Sequence, residues 1–333
     1  MKILRICFTI FLCLSGTLAA QKIPNPRTGP AYFSISGPAA PDDFGDDRHR
    51  QTLVFVAPQN CQDPIYIHVY HPWLDAELDD IYGTTDTRIE FSVYGYPGAV
   101  STYDSCDARR KHTTDFGRLL DRQSFGKKRP TDGEWFTFGP YYKSEADPRT
   151  AFGDAFGFKM VIQAKKGNDL NLYRFKLSRD PDPQVDQPIV GGNSYTYEMI
   201  FRLPSAQKQD FVSIYPWVGT AAKVVARNFD FDYAQRGKIT IEGYRLKPRS
   251  IQPSGNGEWI HSVVPLTDNG PKTLLHLRIY PESIRESNDM IIRCEFRDNY
   301  DCPIVCGPVG IFPPYKYAPP ARSRRQLPPR TSK

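Results

Sequence analysis

The sequence predicts an all-β protein made of two consecutive antiparallel β-sandwich domains, the first jelly-roll-like and the second immunoglobulin-like. Apolar and polar residues alternate with a period of two in many segments, for example over 65–70 and 195–203. Turn-forming clusters such as Gly-Gly-Asn at 191–193 separate these segments. Helical periodicity is weak, and residues 115–126 are the best candidate for a short helix. Many short strands with frequent turns are typical of sandwiches and barrels.

Each alternating segment predicts one half-buried strand, because successive side chains of a strand point to opposite faces. The residues expected to face the core are, in chain order, Ile65, Ile67 and Val69; Ile89, Phe91 and Val93; Phe158, Met160, Ile162 and Ala164; Tyr173, Phe175 and Leu177; Tyr195, Tyr197, Met199, Phe201 and Leu203; Ile239 and Ile241; Leu275, Leu277 and Ile279; and Met290, Ile292, Cys294 and Phe296.

Residues 1–20 predict a cleaved secretory signal. Lys2 and Arg5 give a positive start, an apolar run follows over 6–14, and Leu-Ala-Ala at 18–20 supplies the small residues of a cleavage site. The apolar run is too short to cross a bilayer, which takes about 20 residues. Without a later apolar run or an Asn-x-Ser/Thr sequon, we expect a secreted, periplasmic or cell-surface bacterial protein with no transmembrane span.

A polar segment over 204–210 predicts a boundary between two domains, because strand patterns lie on both sides of it. We expect the first domain over 30–204 and the second over 211–312. The roughly 295 residues between signal and tail fit two domains better than one. The second domain lacks the Cys–Trp–Cys spacing of antibody domains, so only its architecture is expected to be immunoglobulin-like.

The formal net charge of +6 arises from the two ends of the chain. Removing the two basic residues of the signal and the six of the tail from +6 leaves −2 for residues 21–315. Nucleic-acid binding requires clustered Lys and Arg, so we expect no nucleic-acid partner. Residues 313–333 predict a disordered basic, proline-rich tail that stays solvated or makes peripheral contact with an anionic surface.

Five of the seven cysteines follow the signal, and export permits disulfide bonds among them. Proximity in sequence favours pairing Cys61 with Cys106, and Cys302 with Cys306 or Cys294. One thiol then stays free or pairs between chains. Cys294 lies on the apolar face of a predicted strand, which is typical of a buried cysteine that acts as an apolar filler.

Sequence motifs of the common catalytic sites are absent, including Gly-x-Ser-x-Gly, His-Glu-x-x-His and a phosphate-binding Gly-rich loop. His68 and His71 point to opposite faces of a strand and cannot easily share a metal. Asp/Glu pairs for glycoside cleavage leave no sequence signature. Enzymatic activity is therefore uncertain, and a non-catalytic protein is favoured.

Acidic and amide side chains in two strand-connecting loops predict calcium as a cofactor. Calcium takes about six to eight oxygen ligands at one point, and converging loops can supply them. Solvated, charged turns are the alternative interpretation. The expected metal ligands are Asp79, Asp80 and Asp86 in the first loop and Asp169 and Asn171 in the second.

Aromatic residues are abundant, with 4 tryptophans and 19 tyrosines, and exposed rings in secreted sandwiches stack on sugars. Trp73 follows a predicted strand within the acidic region, so we expect it to bind ligand together with Tyr70 and His71. Trp135 lies within a predicted strand and is expected in the core. The alternative is that most of these rings serve packing.

Four segments carry a family resemblance: 65–70, 87–95, 171–175 and 191–198. Their order and spacing resemble an uncharacterised all-β exported region at the amino end of bacterial OmpA-family surface proteins. The resemblance covers most of residues 50–315 and implies an all-β exported domain. It does not extend to the OmpA-like peptidoglycan-binding domain, so wall anchoring is not implied.

The same resemblance bears on the acidic loops. The family pattern has Asp-Pro-Asp followed by an acidic pair, whereas His-Pro-Trp stands here at 71–73. Asp79 and Asp80 match the acidic pair, and Asp169 and Asn171 match the later loop. The resemblance therefore implies an incomplete version of the family's acidic loop.

These observations predict an exported, non-catalytic binding or structural module of a bacterial envelope or surface, with a glycan or an envelope or surface protein as its partner. One alternative is a carbohydrate-active hydrolase that uses an Asp/Glu pair. Another is an accessory subunit of a surface assembly, tethered by its basic tail.

Overall fold

The structure, a computed structural model, describes twelve stretches of the chain. The signal, the expected domain boundary and the basic tail lie outside them, so those predictions stay predictions. The described residues are 22–25, 29–41, 44–74, 78–82, 86–127, 134–203, 211–219, 221–231, 238–243, 246–266, 274–280 and 291–307.

The protein is nearly all β, with 53% strand against 4% helix, which confirms the predicted all-β class. Over the described residues the strands are β1 (Lys22–Ile23), β2 (Phe33–Ser36), β3 (Arg50–Pro58), β4 (Ile65–Tyr70), β5 (Arg88–Gly95), β6 (Arg118–Phe125), β7 (Trp135–Tyr141), β8 (Ala155–Lys166), β9 (Leu170–Ser178), β10 (Asn193–Tyr195), β11 (Glu198–Arg202), β12 (Val212–Ile214), β13 (Pro216–Trp217), β14 (Lys223–Phe229), β15 (Lys238–Gly243), β16 (Leu246–Ile251), β17 (Trp259–Pro265), β18 (Leu275–Tyr280), β19 (Ile291–Arg297) and β20 (Val305–Cys306). The helix α1 covers Cys106–Arg110, and a 3-10 turn covers Lys143–Glu145.

The strands form several antiparallel sheets. The largest has the order β17-β14-β19-β11-β2-β9-β4-β7, with β1 added beside β9. A five-stranded sheet has the order β10-β3-β8-β5-β6, a four-stranded sheet the order β12-β18-β15-β16, and β13 pairs with β20. The non-consecutive order places strands distant in sequence next to one another, and so assembles the candidate sites described below.

Aromatic side chains fill the space between the two larger sheets. The ring of Phe55 on β3 lies 5.3 Å from that of Phe175 on β9, and Phe91 on β5 lies 5.5 Å from Tyr173 on β9. All four side chains are buried. Edge-to-face contacts at such distances stabilise a core beyond simple area burial, and facing sheets of this kind fit a β-sandwich.

The strand β11 joins the two halves of the chain. It pairs with β2 through Phe201 and Phe33, and on its other side with β19 through Met199 and Cys294. The largest sheet therefore contains strands from both expected domains. The domain bounds themselves stay a prediction, because the segment between the two halves lies outside the described residues.

The predicted short helix at 115–126 is wrong, because this segment contains the strand β6. Among the described strands β6 pairs only with β5, at the end of the five-stranded sheet. Most of its side chains are exposed or half-buried on both faces, and Phe125 is its one buried residue. A strand without a buried face carries no clear period-two pattern, and this explains the error.

In the part of the chain that the structure describes, no helix combines the length and the apolar character needed to cross a membrane.

Candidate ligand-binding sites

The predicted metal ligands Asp79, Asp169 and Asn171 are buried and bind other parts of the chain. Asp79 Oδ1 accepts a hydrogen bond from the amide of Leu172 at 2.8 Å, and Asp79 Oδ2 accepts one from Asn171 Nδ2 at 3.2 Å. Asp169 Oδ1 accepts from the amide of Tyr82 at 2.8 Å. These carboxylates satisfy backbone donors that burial has removed from water.

The other two predicted ligands form ion pairs. Asp80 pairs with Arg202 of β11, and Asp86 Oδ2 lies 2.8 Å from Lys166 Nζ of β8. Within the described residues, no group of three or more His, Cys, Asp or Glu side chains is placed to hold a metal ion. These side chains therefore hold parts of the same chain together, and calcium binding stays a prediction.

Trp73 and His71 lie against the protein interior. Trp73 is half-buried, and its ring meets those of Phe125 and Phe136 edge-on at 5.3 and 6.4 Å. His71 is only 5% exposed, and its Nδ1 lies 3.7 Å from Asp79 Oδ1. The third residue expected to bind ligand, Tyr70, belongs instead to an aromatic surface that extends over several strands.

That surface is a row of side chains across β7, β4, β9 and the residue before β2, which we name the aromatic row: Trp135, Tyr70, Arg174 and Tyr32. The rings of Trp135 and Tyr70 lie 5.1 Å apart. The guanidinium of Arg174 lies 4.2 Å from the centre of the Tyr70 ring and 5.2 Å from that of Tyr32. All four side chains are half-buried.

The strand register explains why these side chains meet. Tyr70 is the direct partner of Trp135 on one side and of Arg174 on the other. Ile67 and Val69 of the same strand are buried in the core, so Tyr70 points to the opposite face. The expectation that Trp135 lies in the core is wrong. It is in a strand, as predicted, but its side chain lies on the same face as Tyr70, away from the core.

His68 occupies the next position along this face. Its Nδ1 lies 2.9 Å from Thr137 Oγ1, and its ring stacks parallel to that of Tyr66, with an interplanar angle of 7°. Burial, and secondly the Lys176 ammonium, lowers the pKa of His68 to about 4. The imidazole is therefore neutral near pH 7 and acts as a fixed hydrogen-bonding and stacking group.

The depressed pKa of His68 predicts acid sensitivity. The unfolded histidine takes up its proton near pH 6.5, and the folded one only near pH 4. Stability from this residue is therefore fully present above pH 6.5 and is lost as the pH falls towards 4, by roughly 2–3 kcal/mol. Denaturant unfolding at several pH values should show a shallower acid loss for His68→Gln than for wild type. His261→Gln, at an exposed position, should keep the wild-type slope, and parallel curves for all three proteins would contradict the prediction.

A second candidate site is a cavity of about 260 Å³ next to α1, β3, β11 and β19. Its lining is rich in charged and aromatic side chains. It consists of Arg48, Arg50, Thr52, Tyr103, Arg109, His112, Thr114, Gln163, Tyr197, Glu198, Glu295 and Pro303.

A buried lysine lies near the cavity but does not line it. Lys159 Nζ donates to the carbonyl of Phe116 at 2.9 Å and faces the rings of Tyr94, Tyr103 and Phe116 at 5.1 to 5.6 Å. Burial lowers the pKa of Lys159 to about 7. The aromatic faces and the carbonyl partly replace the water that a charged ammonium would lose.

The disulfide bond joins Cys106 to Cys302, with a Cα–Cα distance of 5.3 Å. The predicted pairings of Cys61 with Cys106 and of Cys302 with Cys306 or Cys294 are therefore wrong. Cys61, Cys294 and Cys306 carry free thiols. The reason is topological: α1 packs beside the turn before β20, although 196 positions separate the bonded cysteines. Cys294 is buried, as predicted, and burial raises the pKa of its thiol.

Sequence reasoning missed Arg174 and Arg109, the two guanidinium groups that stack on tyrosine rings in the two candidate sites. A signal for Arg174 was present. Alternation along 171–175 places it on the face opposite the core residues Tyr173 and Phe175. For Arg109 no comparable signal exists, because its contacts with Cys302 and Tyr197 join segments that are distant in sequence.

The fold and these sites define an all-β, sandwich-like protein with one disulfide in its described part, an aromatic row and a charged cavity. Comparison with protein-family models gives no match, and comparison with curated proteins gives none either. The resemblance to the amino-terminal region of OmpA-family proteins stays a prediction.

Proposed function

We propose that this protein is an exported, non-catalytic binding module of a bacterial envelope or surface, and that it recognises a glycan through the aromatic row. One observation carries the proposal: two tyrosine rings, a tryptophan ring and a guanidinium lie side by side on one sheet face. The signal-like residues 1–20 support the extracytoplasmic setting.

The chemistry of the row suits a sugar. The apolar C–H face of a pyranose packs on the face of an aromatic ring, and half-buried rings keep part of their surface accessible. Arg174 stacks between two tyrosines and contributes charged hydrogen-bond donors beside the rings. Because Trp135, Tyr70 and Arg174 lie on paired strands, the backbone fixes their spacing before any ligand arrives, which lowers the entropy cost of binding.

The test is binding of the full mature chain to a glycan array that includes bacterial envelope polysaccharides, followed by titration of the best ligand. Trp135→Ala and Tyr70→Ala are each expected to weaken binding about tenfold, because each removes one stacking surface worth roughly 1.4 kcal/mol.

Tyr142→Ala is the matched control, since it removes a tyrosine ring that is 50% exposed and outside the row. It should leave affinity unchanged. The proposal is wrong if no glycan binds, or if the Tyr142 variant loses as much affinity as the two row variants while all remain folded by circular dichroism.

A further inference from the structure

We propose that the cavity next to α1 binds a small organic anion, a carboxylate on a sugar-sized body, with Arg109 and Arg50 as the recognising cations. This inference uses residues distinct from those of the aromatic row and does not depend on the proposed glycan site.

The size and accessibility of the cavity suit a small molecule. Its volume of about 260 Å³ is slightly below the roughly 300–1,000 Å³ typical of pockets for drug-sized ligands. Tyr103 and Tyr197 contribute aromatic wall, against which the carbon skeleton of a ligand can pack. The side chains of Arg48 and Arg50 are 24% and 25% exposed, so this part of the wall reaches solvent.

Other arginines already neutralise the carboxylates of the cavity. Arg48 Nη1 lies 3.0 Å from Glu198 Oε2 and its Nη2 lies 3.9 Å from Glu295 Oε2. Glu295 also pairs with Arg227 and with Arg297. Glu295 is 2% exposed, and a carboxylate buried to this degree needs such partners. These two glutamates therefore add little negative potential to the cavity.

Arg109 is one of two cavity arginines that form no ion pair with these two glutamates. It donates to Cys302 Sγ at 2.9 Å and stacks over the Tyr197 ring at 4.3 Å, and it has no ion pair with a carboxylate among the described residues. Its Nε is buried and has no hydrogen-bond partner in the described chain. The Asp104 carboxylate is close enough to interact with the charge of Arg109 but forms no direct ion pair with it. A guanidinium that lines a cavity without a direct ion pair is suited to accept a ligand carboxylate.

Arg50 provides the second cation. Among the described residues, its ion pair joins Nη2 to Asp115, whose side chain is 70% exposed, and exposed pairs of this kind contribute little. Arg50 Nε is buried without a hydrogen-bond partner in the described chain. A ligand carboxylate can replace the weak contact with Asp115, since a shielded pair is stronger than an exposed one.

A carboxylate explains these features better than a bare inorganic ion. The guanidinium group of arginine binds a planar carboxylate with two parallel hydrogen bonds. Phosphate has no carbon skeleton to pack against the two tyrosine rings, so those rings would face water when phosphate binds. An acidic monosaccharide combines the carboxylate with a carbon ring. Glucuronate is therefore the probe, with glucose as its uncharged counterpart of the same ring size and inorganic phosphate as the ring-free anion.

The experiment is isothermal titration of the full mature, disulfide-bonded protein with the three probes. We expect glucuronate to bind, and glucose and phosphate to bind at least about tenfold more weakly. Arg50→Gln and Arg109→Gln should each reduce glucuronate affinity at least about tenfold, because each removes a charged donor.

Arg122→Gln is the matched control, because Arg122 lies on β6, is 49% exposed and does not line the cavity. It should bind glucuronate like wild type. Since Arg109 also contacts the disulfide, the Arg50 variant decides the outcome if the Arg109 variant unfolds. Absence of glucuronate binding, equal binding of glucose or phosphate, or full affinity in Arg50→Gln would each overturn the proposal.

Discussion

Replacing Cys106 and Cys302 together by alanine is expected to lower the free energy of unfolding by about 5 kcal/mol. The bond closes a loop of 196 positions, and in the chain-entropy model a loop of this length restricts the unfolded chain by about that amount. Arg110 also donates to the backbone carbonyls of Tyr300 and Asp301, and these contacts remain in the variant, so the expected loss is that of the cross-link alone. The measurement is the urea midpoint and slope of wild type and variant.

The control for this prediction is Cys61→Ala, which removes a half-buried free thiol. Its midpoint should stay close to that of wild type in oxidising buffer. A reducing agent should bring wild type close to the double variant and leave the double variant unchanged. Equal midpoints for the double variant and wild type would show that the cross-link does not restrict the unfolded chain as argued.

The alternating strands were predictable because a half-buried sheet imposes its period on the sequence. Ile65, Ile67 and Val69 were expected to face the core, and all three are buried. The same rule failed for β6, which ends its sheet and buries little. Local sequence therefore reports a strand when one face is covered, and is silent when neither face is.

Pairing between distant strands could not be predicted in this way. The position of β11 between β2 and β19 depends on the pairing of residues about a hundred or more positions apart, such as Phe201 with Phe33. Nothing in either segment specifies its neighbour. The disulfide shares this property, and sequence proximity therefore suggested partners for Cys106 and Cys302 that the topology does not bring together.

The candidate site was predicted in part for a related reason. Carboxylates in loops were recognised by residue type, but type does not reveal the partner. Asp79 accepts from a backbone amide of β9, a partner that its residue type does not reveal. Tyr70 was expected to bind ligand together with Trp73 and His71, whereas its contacts with Trp135 and Arg174 depend on strand register.

Asp147 is a second buried carboxylate that accepts hydrogen bonds from backbone amides. After the disulfide, its loss should have the largest effect on stability. It is fully buried, and its Oδ2 accepts from the amides of Gly98, Val100 and Ser101 at 2.8 to 3.0 Å, and from Ser101 Oγ at 2.8 Å. Its Oδ1 accepts from the amide of Arg149 at 3.1 Å. One carboxylate thus holds the turn that leads from β5 towards α1.

Asp147→Ala is expected to lower the free energy of unfolding by about 3–5 kcal/mol, because several buried donors lose their acceptor at once. Asp154→Ala, seven positions away, is the control, since Asp154 is exposed and should tolerate the change. Urea unfolding of the three proteins gives the comparison. A loss below about 1 kcal/mol would mean that water replaces the carboxylate in the turn.

The Asp147 variant also tests whether this turn supports the wall of the cavity. The turn continues into Tyr103, which lines the cavity, and into Asp104, which accepts hydrogen bonds from the hydroxyls of Tyr195 and Tyr197. Loosening the turn should therefore displace the aromatic wall and weaken glucuronate binding even under conditions in which the variant remains folded. A variant with reduced stability but full glucuronate affinity would show that β3 and α1 hold the cavity wall without this turn.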